Sequence, residues 1–97
     1  MHTVIRTYTC SPDVIVEGRP KLANLEATMR QIPGFVAYQF LETADGLTTI
    51  TTTEDEAGIE TSMGVAVAWV KQNLTQTGAL LGAPVVTRGE NLIAANA

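Results

Sequence analysis

Polar and apolar residues alternate over the first strand-length of the chain, with Val4, Arg6 and Tyr8 on one side and Thr3, Ile5 and Thr7 on the other. That period of two predicts a strand over His2 to Thr9. Ser11, Pro12 and Asp13 follow in the order N-cap, first helical residue and first-turn acid, so a helix is expected to start there. Pro20 lacks an N–H and its ring would press on the carbonyl of Val16, so the helix should break or bend between Gly18 and Pro20. Beyond the break, Leu22, Leu25, Met29 and Ile32 recur at helical spacing and present one apolar face. Pro33-Gly34 ends that period. Phe35 to Glu42 alternates as a strand, Ala44-Asp45-Gly46 turns, and the threonine-rich segment from Leu47 to Glu54 runs back.

Thr53-Glu54-Asp55-Glu56 has capping-box spacing and crowds three acids where a second helix would begin. Ile59, Met63, Ala66, Val67, Val70 and Leu74 form the expected stripe of that helix, with Val65 and Trp69 to one side. Gly78 to Pro84 reads as a connection. A last strand is expected near Val85 to Ile93, with a bulge at Gly89. The order strand-helix-strand-strand-helix-strand predicts an α+β domain spanning residues 1–97, with two helices over one face of a four-stranded antiparallel sheet. The other face would be left bare.

Only 16% of the 97 residues are charged and 45% are hydrophobic, fewer charges than a typical globular surface carries. Some apolar surface is therefore expected to meet a partner. The net charge of −4 comes from scattered acids and bases with no basic stripe, which argues against nucleic acid. No apolar run reaches the length of a membrane span and no signal-like segment precedes the first strand, so the expectation is a soluble cytoplasmic protein. One cysteine, Cys10, and one histidine, His2, cannot supply a structural zinc site or an internal disulfide. His2 also lies a strand length from Cys10, too far to activate it as a nucleophile. Cys10 reads as a small hydrophobe.

Taken with this layout, the segments His2-Thr-Val-Ile-Arg-Thr-Tyr, Ile32-Pro-Gly-Phe-Val-Ala-Tyr, Glu54-Asp-Glu-Ala-Gly and Ala68-Trp-Val-Lys-Gln-Asn-Leu give a chain that resembles the antibiotic biosynthesis monooxygenase-like dimeric α/β barrels. The resemblance covers nearly the whole chain. It implies a ferredoxin-like subunit that pairs its bare sheet face with a second copy to form a homodimeric barrel. It also implies a small, often aromatic ligand between sheet and helices. Some members resemble cofactor-free oxygenases of phenols, in which the substrate's own carbanion activates oxygen. Others degrade haem, using an Asn on the first strand and a Trp and a His on the second helix. Here the first strand has no Asn and that helix no His. The resemblance therefore implies a cofactor-independent monooxygenase of a phenolic substrate, or a non-catalytic ligand-binding or stress-response barrel, with no cofactor.

Four residues are the candidates for that site. Arg6, a permanent charge in mid-strand, would stabilise a phenolate or enolate as the catalytic group, or else pair with an acid such as Glu42 or Glu54. Tyr8 and Tyr38 would supply hydroxyls to a bound aromatic, or pack in the core or dimer seam. Trp69 would stack on the ligand, or anchor the core or an interface.

Overall fold

The computed structural model describes residues 1–97. Its elements are β1 (His2–Thr9), α1 (Pro12–Gly18), a 3-10 turn (Arg19–Lys21), α2 (Leu22–Arg30), β2 (Phe35–Thr43), β3 (Gly46–Thr53), α3 (Glu56–Asn73), a second 3-10 turn (Gly78–Leu80) and β4 (Val85–Glu90). The strands form one sheet in the order β2-β3-β1-β4, antiparallel throughout. This is the ferredoxin-like βαββαβ arrangement.

The local signals explain most boundaries. Ser11 is extended and its side chain accepts from the Asp13 N–H, with Pro12 at the first helical position. The helix gives way to the 3-10 turn at Arg19-Pro20-Lys21, where the ring of Pro20 forbids an α-helical bond. Gly34 takes φ of +76°, the left-handed conformation that turns the chain out of α2 and into β2. In the hairpin, Gly46 serves a different need. A side chain there would lie 2.1 Å from the Tyr8 carbonyl oxygen, so only glycine lets β3 pass that close to β1.

Three expectations are corrected. The N-cap of α3 is Asp55, whose carboxylate accepts from the Gly58 N–H at 3.0 Å; Thr53 stays in β3 and donates its hydroxyl to the Asp55 carbonyl. Gly89 makes no bulge, since it sits in regular register opposite Thr3, and β4 stops at Glu90. Just past its end the Asn91 N–H still donates to the Met1 carbonyl, and the Asn91 Oδ1 accepts from the Thr3 hydroxyl, so the side chain caps the ladder. The one register shift falls in β2, between Phe35 and Ala37.

Burial alternates along the central strands. Val4 and Arg6 of β1 and Leu47, Thr49, Thr51 and Thr53 of β3 are buried beneath the helices. The core continues through Val14, Ile15, Leu25, Met29, Ile32, Trp69 and Leu74. On α3 the buried line runs through Gly58, Ile59, Ser62 and Trp69, while Val67 is 56% exposed. The expected stripe is thus rotated: Trp69 lies in it and Val67 outside.

Candidate functional site

The covered face of the sheet and the three helices do not close completely. Between them lies a cavity of about 50 Å³ walled mainly by Val14, Ile15, Leu25, Phe40, Leu47 and Leu74. Arg6, Tyr8, Tyr38 and Trp69 all line it. The sheet brings the first three there by register. Arg6 pairs with Thr49 and Tyr8 with Leu47 across β1 and β3, while Tyr38 pairs with Thr51 across β2 and β3.

Arg6 is only 4% exposed, and the four ion pairs of the chain are made by Arg19, Arg30 and Arg88. Glu42, one acid that could have paired with it, bonds Arg19 at 3.2 Å instead. The protein acceptor of the Arg6 guanidinium is the Ser62 hydroxyl, 3.3 Å from Nη2; Ser62 in turn donates to the Ile59 carbonyl at 2.6 Å. A guanidinium carries five N–H donors, so most of this one's capacity is unspent in a site where a carboxylate partner would normally be required. Burial lowers the Arg6 pKa from its ordinary value, an effect opposed by the two phenols. An arginine still keeps its charge under those conditions.

The tyrosines carry the complementary shift. Burial pushes the Tyr38 phenol up to about 12, against the pull of Arg6, and raises Tyr8 in the same way. Both are neutral O–H donors near pH 7. Neither hydroxyl has a hydrogen-bond partner in the protein, and neither is sealed from the cavity as the buried, unpartnered Thr51 Oγ1 is. Trp69 is different. Its Nε1 donates to Asn24 Oδ1 at 2.9 Å, so the indole is locked to α2 and offers the cavity a ring without a free donor.

Two contributors were not read from the sequence. Ser62 is a polar residue on an apolar helix stripe, and Asn24 lies on an exposed turn of α2; each acquires its role from a partner 56 or 45 residues away. His2 lies at the start of β1, paired with Thr53 and Glu90, and does not line the cavity. Cys10 also lies outside it, its thiol pushed up by burial. No three His, Cys, Asp or Glu side chains gather as a metal-holding group. No helix is long and apolar enough to cross a membrane.

No protein-family model matches the chain, and no curated protein matches it. Solved structures do. Rv0793 from Mycobacterium tuberculosis matches with a TM-score of 0.69 at 23% identity over 98% of both chains. A monooxygenase, ActVA-Orf6 of Streptomyces coelicolor, solved with the ligand nanaomycin D, matches with a TM-score of 0.66 at 16% identity, over 99% of this chain and 90% of that one. A variant of MhuD, the haem-degrader of Mycobacterium tuberculosis, solved with two manganese protoporphyrin IX molecules per active site, reaches 0.74 at 14% identity over the whole of both chains. The chain has the fold of the antibiotic biosynthesis monooxygenase-like proteins. At these identities the likeness is one of architecture, and the chemistry has to be argued from the cavity.

Proposed function

We propose that the chain binds a small phenol or enol in the cavity, its oxygen toward Arg6, and acts on it as a cofactor-independent monooxygenase. One observation carries this reading: a buried guanidinium and two neutral phenol hydroxyls face one apolar space with no carboxylate among its lining residues. Such a cluster has donors to spare and lacks acceptors, so it favours a ligand oxygen that bears negative charge. Relatives of this fold that carry flat polycycles, nanaomycin D in one and a porphyrin in another, support the apolar remainder of the ligand.

In this reading the substrate methylene or ring carbon, ionised as an enolate or phenolate, supplies the electrons to dioxygen. The substrate loses two hydrogens, both from a methylene carbon or one from a ring carbon and one from its phenol O–H; the carbon gains one oxygen as a carbonyl, and the second oxygen leaves as water. Arg6 holds the charge on the substrate oxygen, Tyr8 and Tyr38 orient the ring, and Trp69 forms one wall. The test is oxygen uptake with anthrone- or quinol-like phenols. Arg6→Met is expected to lower kcat more than it raises KM, because charge stabilisation is greatest in the transition state. Uptake that is absent, or unchanged by Arg6→Met, removes the oxygenase reading.

The second reading, a non-catalytic ligand-binding barrel, is favoured by the lack of any imidazole or carboxylate to act as base in the cavity. Ligand binding without oxygen consumption would select it.

Assembly belongs to the same reading. The helix-free face is built from matched rows: Thr3 opposite Thr52, Ile5 opposite Ile50 and Thr7 opposite Thr48, continued by Ala37, Gln39 and Leu41 on β2 and by Val85 and Thr87 on β4. It carries no charge at these positions, which suits a two-fold contact with a second copy. Sedimentation at micromolar concentration tests the homodimer; a monomer would remove it.

A further inference from the structure

The cavity is too small for the ligand class argued above. At about 50 Å³ it has about a third of the volume of a cavity that accepts benzene, roughly 150 Å³. Next to it, between α3 and the segment from Thr75 to Pro84, runs a groove of about 450 Å³. Five side chains, Tyr8, Ala66, Val70, Leu74 and Leu81, belong to both spaces and form the partition. Four of these stand on β1, on α3 or at the α3 C-cap. Leu81 alone stands on a connection.

That connection is fastened at few points. At its start the Glu17 carboxylate accepts from the Gln76 N–H at 3.1 Å, the Thr77 N–H at 2.8 Å and the Thr77 hydroxyl at 2.6 Å. At its end Pro84 leads into β4. Between them the apolar side chain turned inward is Leu81, 9% exposed, next to Leu80 at 55%. Glycines stand on both sides, Gly78 and Gly82, the latter at φ of +65°. The strap is also held by the Gly78 N–H to the Leu74 carbonyl at 2.8 Å and by the 3-10 turn that the Leu81 N–H caps, but the Leu81 side chain can rotate without breaking a hydrogen bond of any α-helix or strand.

We propose that the groove along α3 is the second compartment of the binding site and that Leu81 is the partition that decides whether a ligand reaches it. The inference rests on the ligand reading of the cavity. A two-ring phenol would place its oxygen beside Arg6 and its second ring over Ala66 and Val70, in the space that Leu81 vacates. A one-ring phenol also exceeds the closed cavity but reaches only the mouth of the groove, so it depends on Leu81 less. A second groove, of about 470 Å³, lies on the opposite side, but the residues it shares with the cavity, Leu22, Leu25, Tyr38 and Phe40, stand on α2 and β2. Those elements are held by ladder hydrogen bonds and do not offer a partition that swings.

Trp69 lines the cavity and is the chain's one tryptophan, so its fluorescence reports occupancy directly. Quenching by 4-nitrophenol and by 4-nitro-1-naphthol, followed by stopped flow, compares one ring with two. Leu81→Ala should speed association of the two-ring probe about tenfold and tighten its binding, with a smaller gain, about threefold or less, for the one-ring probe. Glu17→Ala touches no lining residue and guards against misfolding of the first variant. It should raise association and dissociation of the two-ring probe together, with affinity unchanged within about twofold. If both probes quench Trp69 and Arg6→Met weakens them, yet Leu81→Ala and Glu17→Ala leave the two-ring rates unchanged, the partition is wrong and the site stands. The same holds if Leu22→Ala gives the acceleration instead. If neither probe quenches Trp69 in any form of the protein, the site and the partition fall together.

Discussion

The two faces of the sheet are made by alternate residues of the same strands, and they differ in what they carry. Under the helices β1 presents Val4, Arg6 and Tyr8, and β3 presents Leu47, Thr49, Thr51 and Thr53. On the bare side the same two strands present Thr3, Ile5 and Thr7, and Thr48, Ile50 and Thr52. The covered face therefore holds the charge, the phenols and the unsatisfied hydroxyl, while the bare face holds short branched side chains that pair with their like. The proposed site and the proposed dimer face are separated by one residue of register, so a slip in β1 would exchange them.

The largest expected effect comes from breaking the bare face. Ile50→Asp would place two unpaired carboxylates near the axis of the proposed dimer and should weaken self-association by about 100-fold or more, read by sedimentation. Binding of phenols at the opposite face should persist if the faces are independent.

Next comes the covered face. Arg6 is buried without a carboxylate, so Arg6→Met should raise stability to urea, by about 1–2 kcal/mol, while lowering turnover more than ligand affinity. A loss of stability instead would mean that the Ser62 hydrogen bond outweighs the desolvation of the charge.

The sharpest comparison uses neighbouring threonines. Thr51 Oγ1 is buried with no partner, whereas Thr52 Oγ1 bonds the Thr3 hydroxyl at 2.9 Å on the bare face. Thr51→Val should therefore stabilise by about 1 kcal/mol, and Thr52→Val should not, although they are the same change one residue apart. Equal responses in denaturant unfolding would show that the faces do not differ in this way.

The smallest effect lies at the strap. Hydrogen bonds from Thr77 and Gln76 hold the Glu17 carboxyl below its ordinary range, so the clamp contributes fully above the unfolded-state value and is lost as pH falls through the lower folded value. The Thr77 amide resonance should titrate with a midpoint below about 4.3, the ordinary glutamate value. A midpoint at or above it would mean that the carboxylate is free in solution.

Much of this was legible in the chain. The alternation of β1, the Ser11-Pro12-Asp13 cap, the break at Pro20 and the Pro33-Gly34 exit are set by near neighbours, and they lie where the sequence places them. The phase of α3 was not legible, because Val67 and Trp69 are both apolar and a helical period alone cannot rank them. It is fixed by distant partners: Arg6 meets Ser62 and Asn24 meets Trp69. Asp55 displaced Thr53 as the cap for a related reason. β3 keeps Thr53 in its ladder opposite His2 and Phe35. Arg6, Tyr8, Tyr38 and Trp69 were nominated by residue type; that they share one cavity follows from register, which a linear pattern does not contain.

The strand order has a consequence for how the chain is made. The β2–β3 hairpin needs only Ala44 and Asp45 to turn, so it can close as soon as both strands exist. β1 precedes both of its partners, so one of its edges waits until the chain has passed Thr53 and the other until β4 has followed α3. Until β3 is made β1 has both edges open, and from then until β4 is made it has one. Its outward threonines at positions 3, 7 and 9 then matter as much to the unfinished chain as to the finished sheet, because a strand polar on one side is a poor template for premature pairing.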